Sequence, residues 1–475
     1  MSTNISRRKV VAGAAWAAPV VAASAAVPAF ASSTECEWNS TENYSISGQP
    51  SGARDTLKIT IPAKVDKLRF EVAGGAGGGS AQVAGGSGAL VTGEIPVKAG
   101  QVVELVAAAG GVAYLASEPG VDSAAIWQTR PATGGKGYGN GGDVNEQPVP
   151  ADAKARVEAN APMPSDMKRY LYGGSGGGSS ALIIDGTPIA VAGGGGGAGI
   201  RTQPGTNNMP SSSPFYNPKA VNASTTSLGD TAVKSVLPAG ASASAAAGGD
   251  AETSISHYTV LKPYANERTA MKVAGGKGGN GGVGGAGGEQ PLLYNDANFY
   301  GVLGFTSQNK QELFSSATAG DKGGSGFDGK GADGVFAYSY QIDNNDISKL
   351  EIVHQTNPLN LNEKRPYSEK DTRKSFNGYQ TVVSAGGGAG YGGGGSGAAR
   401  GLSAIITSQK WNANEEPTRY RQNVSALLQA GAGGAGGSFV SPTVPNGEIS
   451  SANNAAKQSG VRNPGYVKVT LCTRS

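Results

Sequence analysis

The sequence is poor in the residues that carry chemistry. In 475 residues it has two histidines, His257 and His354, and two cysteines, Cys36 and Cys472. Either histidine could serve a hydrolase triad, but no GxSxG-like nucleophile elbow accompanies them, so catalysis is not expected. Cysteines at opposite ends of the chain exclude a CxxC-type metal site. Charged residues make up 16% and hydrophobic residues 38%, both below the globular norm. Low charge, with β-branched and aromatic residues present, still does not read as a disordered chain. Convincing amphipathic helices are scarce. The best are NKQELFSS (309–316) and NVSALLQAG (423–431), each short at most. Beyond the amino-terminal segment no long apolar run follows, so no transmembrane segment is expected.

What is abundant is glycine, with 77 residues where an average chain carries about 7%. It is clustered in runs at 74–79, 85–88, 134–142, 173–178, 193–199, 275–288, 323–334, 386–397 and 431–437. In GGKGGNGGVGGAGG (275–288) the non-glycine residues Lys277, Asn280, Val283 and Ala286 fall three apart. Collagen shares the period but needs proline-rich pairs, which this run lacks. A polyproline II-type helix has 3 residues per turn, so here one face carries X and two carry only hydrogen. Bare faces let neighbouring backbones approach and exchange N–H···O=C bonds. As one rod, the fourteen residues would extend about 43 Å.

The amino terminus reads as an export signal over 1–31. Arg7, Arg8 and Lys9 precede an Ala/Val-rich stretch and the small-residue cleavage site Ala29-Phe30-Ala31. SRRKVV has a twin-arginine look; an ordinary secretory signal with adjacent arginines is the alternative. Without Arg7, Arg8 and Lys9 the formal charge falls from +4 to +1. No nucleic-acid or membrane-surface argument survives that. The mature protein is expected to be secreted, or held at the cell surface without a covalent link.

Strand-like segments recur: TLKITIP (56–62), KLRFEV (67–72), ALVTGEIPV (89–97), QVVELVAAAG (101–110), ALIIDG (181–186) and PIAVAGG (188–194). Later come VFAYSYQI (335–342), KLEIVH (349–354), YQTVVSAGG (379–387), LSAIITS (402–408) and YVKVTLC (466–472). The Asp185-Gly186 pair is a hairpin signal. LRFEVAGGAGGG, TPIAVAGGGGGAG, MKVAGGKGGNGG and TVVSAGGGAGYGGGG each pass from an apolar strand into polyglycine, which argues for one repeated device. The expected fold is all-β: a β-sandwich or jelly-roll-like set of strands, with a projecting polyglycine II bundle and long irregular insertions. Residues 32–475 form one composite domain, with insertions near 112–172, 201–270 and 289–318.

GGSGGGSSALIIDGTPIAVAGGGGGAG (173–199) and the strand, AGGAGGG and GEIPVKAGQVVELVAAAGG of 67–110 resemble the glycine-rich domain of anaplastic-lymphoma-kinase-type receptor ectodomains. They are also similar to secreted bacterial glycine-rich proteins. The resemblance covers roughly half the mature chain and implies polyglycine II helices fed by apolar strands. No ligand-binding residue carries over from it.

Two further motifs are weighed. GGGGAG (194–199) fits GxGxxG, but IRTQPGTNNMPSSSP follows where a helix is required, so no nucleotide cofactor is expected. GGSGFDGKG (323–331) begins like a calcium β-roll repeat with Asp328 as a weak ligand candidate, but Lys330 departs from the pattern and only one copy exists. Otherwise neither metal nor cofactor is expected. Tyr170, Tyr172, Tyr216, Tyr258, Tyr264, Tyr294 and Tyr300 lie in the insertions, where amphipathic aromatics suit recognition of sugars or proteins, or pack the loops onto the sandwich.

Cys36 and Cys472 are an even, minimal pair in an exported chain and are expected to form a disulfide joining the termini. Closing so long a loop stabilises by roughly 5 kcal/mol in the chain-entropy model. The expected role is a non-enzymatic structural or adhesive protein of the cell envelope. Its partner would be an unidentified envelope or host-surface protein or glycan, and its oligomeric state is open. The alternative is a secreted carbohydrate-binding module or hydrolase with its active surface in the insertions.

Overall fold

The computed structural model describes residues 37–79, 84–114, 130–148, 169–203, 217–221, 234–236, 254–258, 269–291, 311–341, 378–412 and 415–474. Among them every regular element is a strand, in five sheets, and there is no helix. Sheet I runs β1 (Glu37–Ser47), β21 (Tyr466–Thr473), β3 (Val65–Ala73), β4 (Ala89–Pro96), β20 (Glu448–Ser451), β11 (Lys234–Val236). Sheet II runs β19 (Phe439–Val440), β8 (Thr187–Ala192), β7 (Ser180–Ile184), β5 (Val102–Ala107), β2 (Asp55–Thr60). Sheet III runs β10 (Asn217–Val221), β9 (Gly199–Gln203), β18 (Glu415–Ala430), β17 (Ala399–Asn412), β14 (Gln311–Thr318). Sheet IV runs β15 (Phe336–Gln341), β16 (Gly378–Val383), β6 (Arg169–Tyr172), and sheet V pairs β12 (Ser254–Tyr258) with β13 (Thr269–Val273). All strand pairs are antiparallel except β16 with β6.

The main core is shared by sheets I and II. Leu68, Phe70 and Val72 of β3 sit in register with Leu471, Val469 and Val467 of β21. All six are buried together with Leu105, Leu182, Ile184 and Ile189 of sheet II. The alternation in β21 follows directly, with Lys468 exposed between two buried valines. β7 is buried along its whole length. Leu182 and Ile184 enter the main core while Ala181 and Ile183 enter a second cluster. That double burial explains why ALII and PIAVA read as continuous apolar runs rather than alternating ones.

The glycine segments link the sheets. Three run through: 173–179 from β6 to β7, 193–198 from β8 to β9, and 431–438 from β18 to β19. Three more leave a strand of sheets III–V and return to one: 274–288, 319–335 and 384–398. The stretch 74–88 leaves and re-enters sheet I between β3 and β4. Residues 130–148, within the span 112–172, add another glycine segment whose Ala132 and Val144 are buried.

Two expectations fail here. The stretches NKQELFSS and NVSALLQAG are not short helices: they lie in β14 and β18, each paired to β17. Pairing to a neighbouring strand overrides weak local helix propensity. The run 275–288 is also not a single rod of about 43 Å. It folds back on itself, with Asn280 and Val283 bridged and Gly281 and Gly282 at φ 57° and 78°. Two successive positive φ values make a tight primed turn, which only glycine enters without strain. The period of three survives on both arms: Lys277, Asn280, Val283 and Ala286 are all exposed, while Gly275, Gly276, Gly279, Gly284, Gly285 and Gly288 are buried.

Candidate functional site

The glycine segments converge into one hydrogen-bonded body. In 393–398, residues three apart donate to the same neighbour. Gly393 and Ser396 donate to the carbonyls of Gly324 and Asp321 (2.8 and 3.0 Å). Gly394 and Gly397 donate to Gly388 and Ala385 (2.7 and 3.2 Å), and Gly395 and Ala398 to Lys277 and Ala274 (2.9 and 3.0 Å). The carbonyls of the same run accept from Gly285, Gly288, Ala332, Gly431 and Gly434. The run 194–198 repeats the rule: Gly194 and Gly197 donate to Ala389 and Gly386, Gly195 and Ala198 to Gly75 and Gly78. The spacing leaves no room for side chains. A Cβ added at Gly196 would lie 1.8 Å from the carbonyl oxygen of Gly433, and one at Gly195 would lie 1.9 Å from that of Gly86. This interior is made of paired backbone amides.

Serine enters where a backbone partner is missing. The Ser175 hydroxyl accepts from the Val112 N–H at 2.9 Å and donates to the Thr133 carbonyl at 2.9 Å. Ser384 accepts from Val335 N–H, and Ser438 from Gly193 N–H. At the surface, the Asn454 amide donates to the carbonyls of Gly74 and Pro464 and its oxygen accepts from Gly88 N–H. Arg462 donates to the Gly110 carbonyl and to Thr133, and burial lowers its pKa from the ordinary arginine value. These are pegs holding the segment after β20 against the glycine body.

An aromatic cluster lies where the returning segments turn. Phe327 stacks on Tyr391 at 4.7 Å between centroids and meets Phe439 edge-on at 4.9 Å. Phe327, Phe439 and Tyr138 rest on Val106, Ala181, Ile183 and Val191 of sheet II. A Cβ on Gly282 would lie 2.8 Å from the Tyr391 ring, so that ring is held between Phe327 and the 281–282 turn. The turns also bond one another, Gly282 N–H to Tyr391 O and Gly392 N–H to Gly326 O. The rings are therefore used on each other, as a clasp over three turns. Burial raises the Tyr138 pKa, with Asp328 and Glu104 adding to it.

The residues expected to matter are dispersed. Asp328 is exposed in the turn beside Phe327, and among the described residues no group of three or more His, Cys, Asp or Glu could hold a metal. His257 lies on β12 opposite Ala270, whereas His354 is outside the described residues. Tyr172 is buried at the base of β6 with Val112, Val144 and Val383, so it packs rather than presents itself. Tyr170 and Tyr258 lie on β6 and β12, while Tyr216, Tyr264, Tyr294 and Tyr300 are outside the described residues. Arg7, Arg8, Ala29, Ala31 and Cys36 are outside them too.

Cys472 is fully buried and disulfide-bonded. It lies opposite Trp38 in the β1–β21 pair, and Glu37 lies opposite Thr473. Arg69 sits 4.1 Å over the Trp38 ring, and Arg474 pairs with Asp66. Glu37 and Thr473 thus lie at the strand ends of sheet I remote from Ala73, about 26 Å away by strand rise over the eight positions to Val65. The spans 259–268, 342–377 and 413–414, outside the described residues, each connect two strands of sheets III–V. Among the described residues no helix is long and apolar enough to cross a membrane. No protein-family model matches the chain, and no curated protein matches it.

Proposed function

We propose that this is a secreted, envelope-associated structural or adhesive protein, acting without catalysis as a stiff spacer. In this reading sheets I and II form a β-sandwich that carries the chain ends. The glycine segments form a polyglycine II bundle, and sheets III–V are the presented part. The observation that carries it is the run 393–398, where six successive amides go to three neighbours, two to each at intervals of three. A helix with three residues per turn and no internal bonds produces that pattern, and only when neighbours pack on several sides. The sequence's resemblance to glycine-rich receptor ectodomains and secreted glycine-rich proteins points the same way.

Such a body suits spacing better than chemistry. Its donors and acceptors are consumed internally, and its rigidity comes from many short bonds that must open together. The test is fractionation of cells producing the full chain. Recovery with the envelope, with release by salt or denaturant rather than wall digestion, is expected. Recovery wholly in the medium or the cytoplasm would overturn the assignment. Amide exchange at 393–398 as fast as in an unfolded peptide would remove the stiff spacer.

A further inference from the structure

The chain holds four Asn-Gly pairs, at Asn140, Asn280, Asn377 and Asn446, of which Asn377 lies outside the described residues. Such a pair carries its own reagents. The glycine amide nitrogen can attack the side-chain carbonyl carbon of the asparagine before it, since no Cβ on the glycine stands in the way. The new C–N bond closes a five-membered succinimide, the side-chain nitrogen leaves as ammonia, and the amide proton goes to water. Water then opens either ring carbonyl, giving aspartate or an isoaspartate whose main chain runs through the side-chain carbon. No oxidant or cofactor is needed. In a fold, the rate is set by whether the glycine N–H is free and wet.

The three described pairs differ on that point. The Gly141 N–H is buried and held on the Gly135 carbonyl at 2.9 Å. Asn140 is itself tied down, its side-chain oxygen accepting from Gly137 N–H and its carbonyl from Gly331 N–H. After Asn446, Gly447 is buried where an added Cβ would lie 2.8 Å from the Val440 side chain. Asn280 and Gly281 are both exposed, and Gly281 has nothing within 4 Å of an added Cβ. The Gly281 N–H donates to no acceptor among the described residues.

We propose that Asn280 is a self-modifying site, converting to aspartate and isoaspartate through Gly281, and that the isoaspartate unfastens the turn at the rim of the glycine body. The turn is tight: Asn280 and Val283 exchange backbone bonds of 2.9 and 2.8 Å across Gly281-Gly282. Isoaspartate lengthens the main chain between residues 280 and 281 by one atom, which a two-residue turn does not absorb in register. The bonds lost with the turn are those to its neighbours, Gly282 N–H to Tyr391 O and Gly326 N–H to Gly282 O. Aspartate keeps the main chain and adds one negative charge at the rim. The inference needs water alone and is independent of the envelope reading.

The full mature chain is aged in mildly alkaline buffer, native and in urea, and each pair is read by peptide mass spectrometry and by labelling with an isoaspartate methyltransferase. In the native protein Asn280 should convert about tenfold or more faster than Asn140 and Asn446, the rate equivalent of first opening a buried bond at those two. In urea the three should level, because each precedes glycine. Amide exchange across 278–285 should rise with age in the parent and stay constant in N280Q, whose longer side chain would have to close a less favourable six-membered ring. Exchange at 393–398 should change in neither. Equal native rates at the three pairs, slower conversion at Asn280, or the same ranking in urea overturns the site. Ageing that loosens N280Q as much as the parent, or isoaspartate at 280 with the turn still protected, overturns the unfastening.

Discussion

Gly284→Ala adds a single methyl group and should cost as much as many core truncations. Its Cβ would lie 1.8 Å from the Gly323 carbonyl oxygen and 2.4 Å from the carbonyl carbon. An ordinary contact is about 3.5 Å, so the neighbouring run must retreat by more than 1 Å, roughly. That run is pinned by Gly323 N–H to Gly285 O at 2.9 Å and by Gly320 N–H to Gly288 O at 2.8 Å. Losing two such bonds and leaving their groups buried costs about 1–3 kcal/mol each. A total of about 2–6 kcal/mol is a large part of the roughly 5–15 kcal/mol that holds a domain together.

Two neighbours calibrate the argument. Gly281 has nothing within 4 Å of an added Cβ but sits at φ 57°, so Gly281→Ala should cost only about 1 kcal/mol of left-handed strain. Ala286 is exposed on the outward face, and Ala286→Val should stay within about 0.5 kcal/mol. Urea midpoints at constant m-value give the three differences. If the three variants fall within experimental error of one another, close backbone packing is not what requires glycine here.

Three other outcomes follow from the same contacts. Ser175→Ala should cost about 1–3 kcal/mol in a urea melt by leaving the Val112 N–H buried without its acceptor, and a neutral result would mean that the site rearranges. Tyr138 and Tyr466 both have pKa values raised by burial first and nearby carboxylates second. Their contribution is therefore intact below the unfolded value of about 10 and is lost as pH rises beyond it; Tyr138→Phe should flatten the alkaline fall in stability, and an unchanged slope would refute that role. Cys36 is the other cysteine of the chain, so the denatured, unreduced mature protein should show no reactive thiol, while two per chain would exclude the bridge.

What was legible in the sequence was local. KLRFEV, ALIIDG and YVKVTLC announce their strands because burial on one or both faces writes itself into alternation or continuous apolarity. The three-residue spacing of Lys277, Asn280, Val283 and Ala286 announces an outward face, and those four residues are exposed. The turn at Gly281-Gly282 was hidden because in a run of glycines a positive φ has no distinctive residue. NVSALLQAG looked helical since its apolar residues fit more than one period, and its neighbours on β17 and β9 are remote in sequence. The aromatic clasp was hidden for the same reason: Tyr138, Phe327, Tyr391 and Phe439 come from four separate segments.

The composition of each glycine segment tracks how many sides of it are covered. The run 193–197 has no side chain at all and takes neighbours from 74–89, 174–178, 386–389 and 433–437. The arms 274–280 and 283–288 form the rim of the body and keep one X in three, directed outward. Between these limits lies 384–390, where Ala385 and Ala389 are fully buried yet small enough to fit. A flexible linker would show no such grading, because solvent does not distinguish one face of a run from another. The grading is what the proposed array of packed threefold helices would impose: a position facing a neighbour must be glycine, a position facing a gap takes alanine or serine, and a position facing water is free. The distribution of the non-glycine residues, more than the number of glycines, is therefore what supports the proposed single stiff body over a set of tethers.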